Sequence, residues 1–224
     1  MEIFLIRHGE QFYCKNEQGK KLISGSDAPL IDLGREQMRE LRAALDREGI
    51  VLNAVYRSPL LRSKQSTDEL VGEAPIPIYV VNELKEGFPD SDTNHTYDEL
   101  EERGGDIYAH PFSEEQESLE YLVQRSRAAI EYILGDSKEH GYNIIGIVGH
   151  GDPLCALDWA LKHANPPISY AEMRDSYYPQ KAQAKEYIIN DKNLELESEG
   201  RLIITEASQA TVEAFRNSPG KEAQ

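Results

Sequence analysis

Ile3-Phe4-Leu5-Ile6-Arg7-His8-Gly9 and, far along the chain, Ile144-Ile145-Gly146-Ile147-Val148-Gly149-His150-Gly151 share one plan: an apolar run that ends on a histidine followed by glycine. A short run this apolar predicts a strand buried on both faces of a parallel sheet. A polar residue at the C-terminal end of such a strand opens into the crevice where α/β proteins bind ligands. Two histidines placed there can meet in space although they are far apart in sequence.

Working outward from these runs, strand-like and helix-like segments alternate, which predicts an α/β fold. Further strands are expected at 53–57, 76–81 and 186–190, with an edge strand at 202–205. After Gly34, the residues Met38, Leu41, Arg42 and Leu45 fall on one helical face, and Leu119, Leu122, Val123, Ile130, Ile133 and Leu134 repeat the pattern. Ser58-Pro59 and Asp152-Pro153 each place a capping side chain before a proline suited to the first helical position, so helices are expected to start there. Between residues 87 and 111 the pattern breaks into Gly, Pro, Asp, Ser and Asn, followed by a short acidic helix near 97–103. This stretch reads as an insertion over the sheet, a lid candidate. One domain is expected over residues 1–207. Residues 208–224 form a C-terminal extension, helical at first and fraying at Pro219-Gly220.

The chain has 224 residues, 29% charged and 39% hydrophobic, which suits a soluble globular protein. No apolar stretch approaches the length of a membrane span, and a strand directly after Met1 leaves no room for a signal peptide. Cys14 and Cys155 make no disulfide framework and no zinc-like spacing. A reduced, cytoplasmic protein is expected. The net charge of −16 disfavours nucleic acid and anionic membranes as partners. Because screening confines surface charge to roughly 8 Å at physiological salt, a recessed positive pocket can still take a small anion. The oligomeric state is not legible.

Four constellations carry chemistry. At the exit of the first strand stands Arg7-His8-Gly9-Glu10. A lone histidine there is more often structural than reactive, but an adjoining guanidinium is the preferred partner of phosphate or carboxylate oxygens. Arg57-Ser58-Pro59-Leu60-Leu61-Arg62 brings a second arginine toward a helix N-terminus, where backbone N–H groups already favour anions. Glu86 follows the third apolar run, where a carboxyl can act as acid or base; in a chain this acidic it can equally be a surface residue. Gly149-His150-Gly151-Asp152 completes the set. His8, His150, Asp152 and Glu86 are all conceivable metal ligands. No HExxH appears, however, and two converging arginines would repel a cation, so no metal and no cofactor are expected.

Taken in order, several segments resemble the histidine phosphatase superfamily, also called phosphoglycerate-mutase-like. They are Arg7-His8-Gly9-Glu10; Ser24-Gly25-Ser26-Asp27-Ala28-Pro29-Leu30 with Gly34; Ser58-Pro59-Leu60-Leu61-Arg62-Ser63-Lys64-Gln65-Ser66; Leu84-Lys85-Glu86; Gln116-Glu117-Ser118 with Arg125; and Val148-Gly149-His150-Gly151. The resemblance covers about residues 1–190. It implies a three-layer α/β/α sandwich on a central, mostly parallel sheet, with the site at the C-terminal ends of the strands. It implies that His8 attacks phosphorus and becomes a transient phosphohistidine. Arg7, Arg62 and His150 would cradle the phosphoryl oxygens. Glu86 would donate to the leaving oxygen and then accept a proton from water. Gln11, Ser24 and Gly25 would face the substrate, a phosphorylated small molecule rather than a phosphoprotein.

The chain departs from the family pattern in places. Gln11 stands where many relatives have Ser or Thr, Asn16 is the nearest asparagine, and Ile31 replaces the threonine of the PLT segment. Phosphoglycerate mutases carry an RHYG-type signature after the catalytic Glu and HGN after the second histidine. Here Gly87-Phe88-Pro89 and Asp152 take those places, which weighs against the alternative of a phosphomutase. Lys85-Glu86-Gly87-Phe88-Pro89 has a short likeness to the REGxP segment of a protein-phosphatase branch. A second alternative, a non-catalytic relative that only binds phosphorylated ligands, is weakened because all five catalytic positions are filled.

Overall fold

Strand β1 (Glu2–Arg7) buries both its faces: Ile3 and Leu5 point to one side of the sheet, Phe4 and Ile6 to the other. Only a strand at the centre of a covered sheet can do this. The computed structural model, which describes residues 1–89 and 93–210, puts β1 beside β4 (Ile144–Gly149) in parallel, with Ile3 opposite Ile145 and Arg7 opposite Gly149. Next come β2 (Ala54–Arg57) and β3 (Ile78–Val80), also parallel. On the other side of β1, β5 (Ala184–Ile189) pairs antiparallel with β1, and β6 (Leu196–Ile203) pairs antiparallel with β5. The order is β3-β2-β4-β1-β5-β6.

Helices cover both faces. Met38, Leu41 and Leu45 of α1 (Asp32–Arg47) and Leu70 and Val71 of α2 (Leu61–Val71) pack on Phe4, Ile6, Val55 and Val148. Ala129, Ile130, Ile133 and Leu134 of α4 (Leu119–His140) and Leu154 and Leu157 of α5 (Gly151–Lys162) pack on Ile3, Leu5, Tyr56, Ile145 and Ile147. The result is the three-layer α/β/α sandwich expected from the sequence. Two short helices, α3 (Tyr97–Glu102) and α6 (Tyr170–Ser176), lie outside these layers. Among the described residues no helix is long and apolar enough to cross a membrane.

Several local expectations need correction. The β3 strand is shorter than 76–81 because Pro77, with no N–H to donate, sits at its start. The edge strand begins well before 202: Glu197, Glu199 and Arg201 alternate with small residues in β6, so its charge hides it. A charged edge of this kind resists pairing with another chain. Neither anticipated cap is used. Helix α2 opens at Leu61 with Leu60 at the cap position and no side-chain cap; the Ser58 hydroxyl, two residues earlier, accepts from the Leu60 N–H at 3.3 Å and from His150. Helix α5 opens at Gly151, so Asp152 is already inside it, its carboxylate held by two tyrosines instead. Of the insertion at 87–111, residues 90–92 lie outside the described residues, as do Pro219-Gly220 and the rest of the extension beyond 210. Residues 206–210 are helical, as expected for the start of that extension.

Candidate active site

The strand ends converge on one point. His8, the first residue past β1, extends the β1–β4 ladder by donating its backbone N–H to Gly149 O at 3.0 Å. That pairing brings the His8 and His150 rings to a centroid separation of 5.0 Å. The turn after His8 depends on glycine. A Cβ on Gly9 would lie 2.2 Å from Gly34 O, and one on Gly34 would lie 2.0 Å from Glu10 O. The backbone approach of these two glycines explains why Gly34, in α1, belongs to the same motif as His8.

Hydrogen bonds set the tautomers of both rings. His8 Nδ1 lies 2.7 Å from Gly9 O, and a carbonyl can only accept, so the proton is assigned to Nδ1. Nε2 therefore keeps its lone pair. His150 has the opposite arrangement. Its Nδ1 accepts from Arg62 Nε at 3.2 Å, which leaves Nε2–H to donate to Ser58 Oγ at 2.8 Å. Burial lowers both imidazoles well below the usual histidine range. Lys181, His150, Arg62 and Arg7 push His8 further the same way, and Arg62, Lys181, Arg7 and Arg125 do so for His150. Both rings are neutral near pH 7.

Two guanidinium groups complete the cluster. Arg62, in the first turn of α2, is almost fully buried and donates NH1 to Gly25 O at 2.8 Å. Arg7 donates NH1 to Pro179 O at 2.8 Å and lies over the Tyr178 ring. Its buried Nε has no partner among the described residues. Arg62 is buried, Arg7 is half-buried, and Arg7 acts unfavourably on the Arg62 charge, so an anion shared by the two would be favourable.

Glu86 follows a 3-10 turn (Asn82–Leu84) and is half-buried; the Gly87 N–H donates to its Oε1 at 3.1 Å. Its loop is braced from α4 and from the segment before it. Gln116 donates to Gly87 O at 2.7 Å, and Arg125 donates to Glu83 O while pairing with Glu117. These contacts account for the presence of Gln116, Glu117 and Arg125 in the matched pattern.

Two cavities meet at Glu86 and Phe88. The smaller, about 530 Å3, is lined by Ser24, Gly25 and Arg62. The larger, about 760 Å3, is lined by Arg7, Tyr13, Tyr97, Asp152, Tyr178 and Lys181 among others. Ser24 and Gly25 thus line the smaller cavity. Gln11 lines neither cavity: buried behind the loop, it donates its amide to Ser24 Oγ at 2.7 Å. Tyr97 lines the larger cavity, whereas His95 stacks on Phe112 and His110 is exposed. No group of three His, Cys, Asp or Glu side chains among the described residues could hold a metal ion.

The family model for the histidine phosphatase superfamily, branch 1, matches residues 3–174. The chain belongs to that family. Comparison by sequence with curated proteins gives no match. Among solved structures, the α-ribazole phosphatase of Shigella flexneri superimposes with a TM-score of 0.69 at 24% identity, over 92% of this chain and 96% of its own. A mycobacterial glucosyl-3-phosphoglycerate phosphatase gives 0.67 at 19%, over 91% and 97%. The phosphoserine phosphatase of Entamoeba histolytica, in complex with 3-phosphoglyceric acid, gives 0.62 at 20%, over 92% and 98%. At these identities the likeness is one of fold, and the histidine phosphatase fold is the one built here from the strand pairing.

Sequence reasoning missed part of this histidine phosphatase site. Lys181 reaches His8 Nε2 at 3.3 Å. Asp152 accepts from Tyr108 OH at 2.9 Å and Tyr170 OH at 2.7 Å. Burial and then Glu86 raise the Asp152 carboxyl to about 6. A proline directly after Asp152 signalled a cap; no local pattern signalled the tyrosines, which arrive from α6 and from the insertion.

Proposed function

We propose that this protein is a metal-independent phosphatase that hydrolyses phosphomonoesters through a phosphohistidine on His8. The observation that carries the reading is the His8 tautomer: with Nδ1–H bonded to Gly9 O, Nε2 carries no proton and keeps its lone pair in a cluster with the guanidinium groups of Arg62, buried, and Arg7, half-buried. Nε2 attacks phosphorus, the Nε2–P bond forms, and the bond from phosphorus to the leaving oxygen breaks. Glu86 gives its proton to that oxygen. Water then attacks the phosphohistidine, Glu86 takes the water's proton, and inorganic phosphate leaves with His8 restored.

Arg7 and Arg62 hold the equatorial oxygens, where the charge of the transition state spreads, and His150 joins them by turning its Nε2–H from Ser58 Oγ to the phosphoryl group. Because these side chains already neutralise the phosphoryl charge, the chemistry requires no divalent ion. The substrate class is a phosphorylated small molecule, and the three phosphatases superimposed above, by their names, support phosphate-ester chemistry. A cytoplasmic setting suits the two free thiols, Cys14 and Cys155.

The test is hydrolysis of p-nitrophenyl phosphate by the purified protein with and without EDTA. Turnover that is equal in both supports the reading. No turnover, or loss on chelation restored by a divalent ion, would overturn it. Assays with and without a bisphosphorylated primer separate hydrolysis from phosphoryl transfer between positions of a phosphoglycerate.

A further inference from the structure

The lone pair assigned to nucleophilic attack is not idle in the free protein. Lys181 Nζ lies 3.3 Å from His8 Nε2, and since Nδ1 carries the ring proton, the amine is the donor. Its position follows from the sheet. The Ala182 N–H donates to Arg7 O at 3.1 Å and to His8 O at 3.3 Å, and Gln183 O accepts from the Arg7 N–H at 3.1 Å. These bonds continue the β1–β5 pairing to the residue beside the nucleophile. Ala182 takes a left-handed backbone, φ 50°, to make the connection. A non-glycine residue held in that region indicates that the surrounding contacts impose the geometry.

Lys181 also lines the larger cavity together with Arg7 and Glu86. Arg7, Glu10, Arg62 and Glu86 are the charged groups that act on it. Those acting on His8 are Lys181, His150, Arg62 and Arg7. Burial and then Arg7 hold this half-buried amine well below the usual lysine range, and Glu10 and Glu86 offset that only in part, so an anion shared with the guanidinium groups would be favourable.

We infer that Lys181 is a fourth phosphate ligand and a catalytic residue, one that occupies the attacking nitrogen until substrate arrives. In the free site its N–H group holds the Nε2 lone pair. When a phosphate monoester binds, the same N–H group turns to a phosphoryl oxygen, freeing Nε2. As the Nε2–P bond forms, Lys181 stays on that oxygen with its protons unchanged, sharing the charge with Arg7 and Arg62. The inference rests on the phosphatase reading, and it adds a ligand from a part of the chain beyond the stretch matched by the family model.

The test compares wild type with Lys181→Met, which removes every donor, and Lys181→Gln, which keeps a neutral one. Isothermal calorimetry with inorganic phosphate reads the ligand role without turnover. Losing a charge-assisted hydrogen bond should weaken phosphate binding about tenfold or more in Lys181→Met, with Lys181→Gln intermediate. With p-nitrophenyl phosphate, the acid limb of kcat/KM should move to higher pH in both variants, because removing a cation beside His8 makes its ring easier to protonate. The substrate's own ionisation cancels in that comparison; the limb reads the amine's charge beside His8, and the phosphate affinity reads the ligand role. Phosphate binding within twofold of wild type, in whichever variants fold, would overturn the inference. If wild type binds phosphate but hydrolyses nothing, the phosphatase reading fails, and the calorimetric comparison still decides for or against Lys181 as a ligand.

Discussion

Arg62 Nε lies 3.2 Å from His150 Nδ1, so one guanidinium ties the first turn of α2 to the residue that caps α5. The contact fixes the His150 tautomer, while NH1 of the same guanidinium donates to Gly25 O; in the proposed mechanism the remaining N–H groups take a phosphoryl oxygen. The ends of β2 and β4, neighbours in the sheet, are thereby locked in one geometry.

Arg62→Ala should therefore do more than remove a positive charge, because His150 loses its orienting donor as well. We expect kcat/KM for p-nitrophenyl phosphate to fall by about 100-fold or more, the scale of losing one preorganised oxyanion donor. Arg62→Lys should recover little, since one ammonium cannot bridge His150, Gly25 O and the phosphate at once. Near wild-type rates in the lysine variant would contradict the bridging role.

The buried, neutral His8 makes a statement about pH. Its folded-state pKa lies well below 6.5, so the unprotonated ring persists as the pH falls through that value. With an activated aryl phosphate, whose low second pKa keeps the substrate dianionic, kcat/KM should remain flat through pH 6.5 and decline only further down. A limb centred at 6.5 or above would contradict the assigned environment.

Glu86 should matter in proportion to how badly the leaving group needs a proton. We expect Glu86→Gln to lose far more activity on alkyl phosphates than on p-nitrophenyl phosphate, whose phenolate leaves unaided. Equal losses on both substrates would remove Glu86 from the acid role.

Asp152 offers a stability test separate from turnover. Its folded-state pKa is raised from 3.8 to about 6, first by burial and then by Glu86. The native state thus holds the protonated form more tightly, and stability is lost as the pH rises from the unfolded value through the folded one. Asp152→Asn, which keeps polar contacts to Tyr108 and Tyr170 without the charge, should gain in Tm relative to wild type between pH 4 and pH 7. A Tm difference that does not change with pH would show that the carboxyl carries no such strain.

Most of this site could be read in the sequence because its parts sit at the ends of apolar runs. Ile3–Ile6 and Ile144–Val148 are local signals, and the residues that follow them, Arg7, His8 and His150, inherit their position from the strands. Lys181 could not be read that way. Its place depends on β5 pairing antiparallel with β1, a register set across more than half the chain. The β6 strand was partly hidden for a different reason: its exposed Glu197, Glu199 and Arg201 look like loop residues until the Arg201–Glu186 ion pair at 2.8 Å anchors them to β5. Asp152 misled because a carboxylate before proline satisfies the pattern of a cap, whereas burial against two phenols decides its actual contacts.

Every chemical step above starts from His8, so the most direct measurement is the activity of His8→Ala on p-nitrophenyl phosphate, with its Tm compared to wild type. The account predicts a folded protein whose kcat/KM has dropped by at least about 1,000-fold, as expected when a covalent nucleophile is removed. A folded His8→Ala variant that hydrolyses within tenfold of wild type would contradict it.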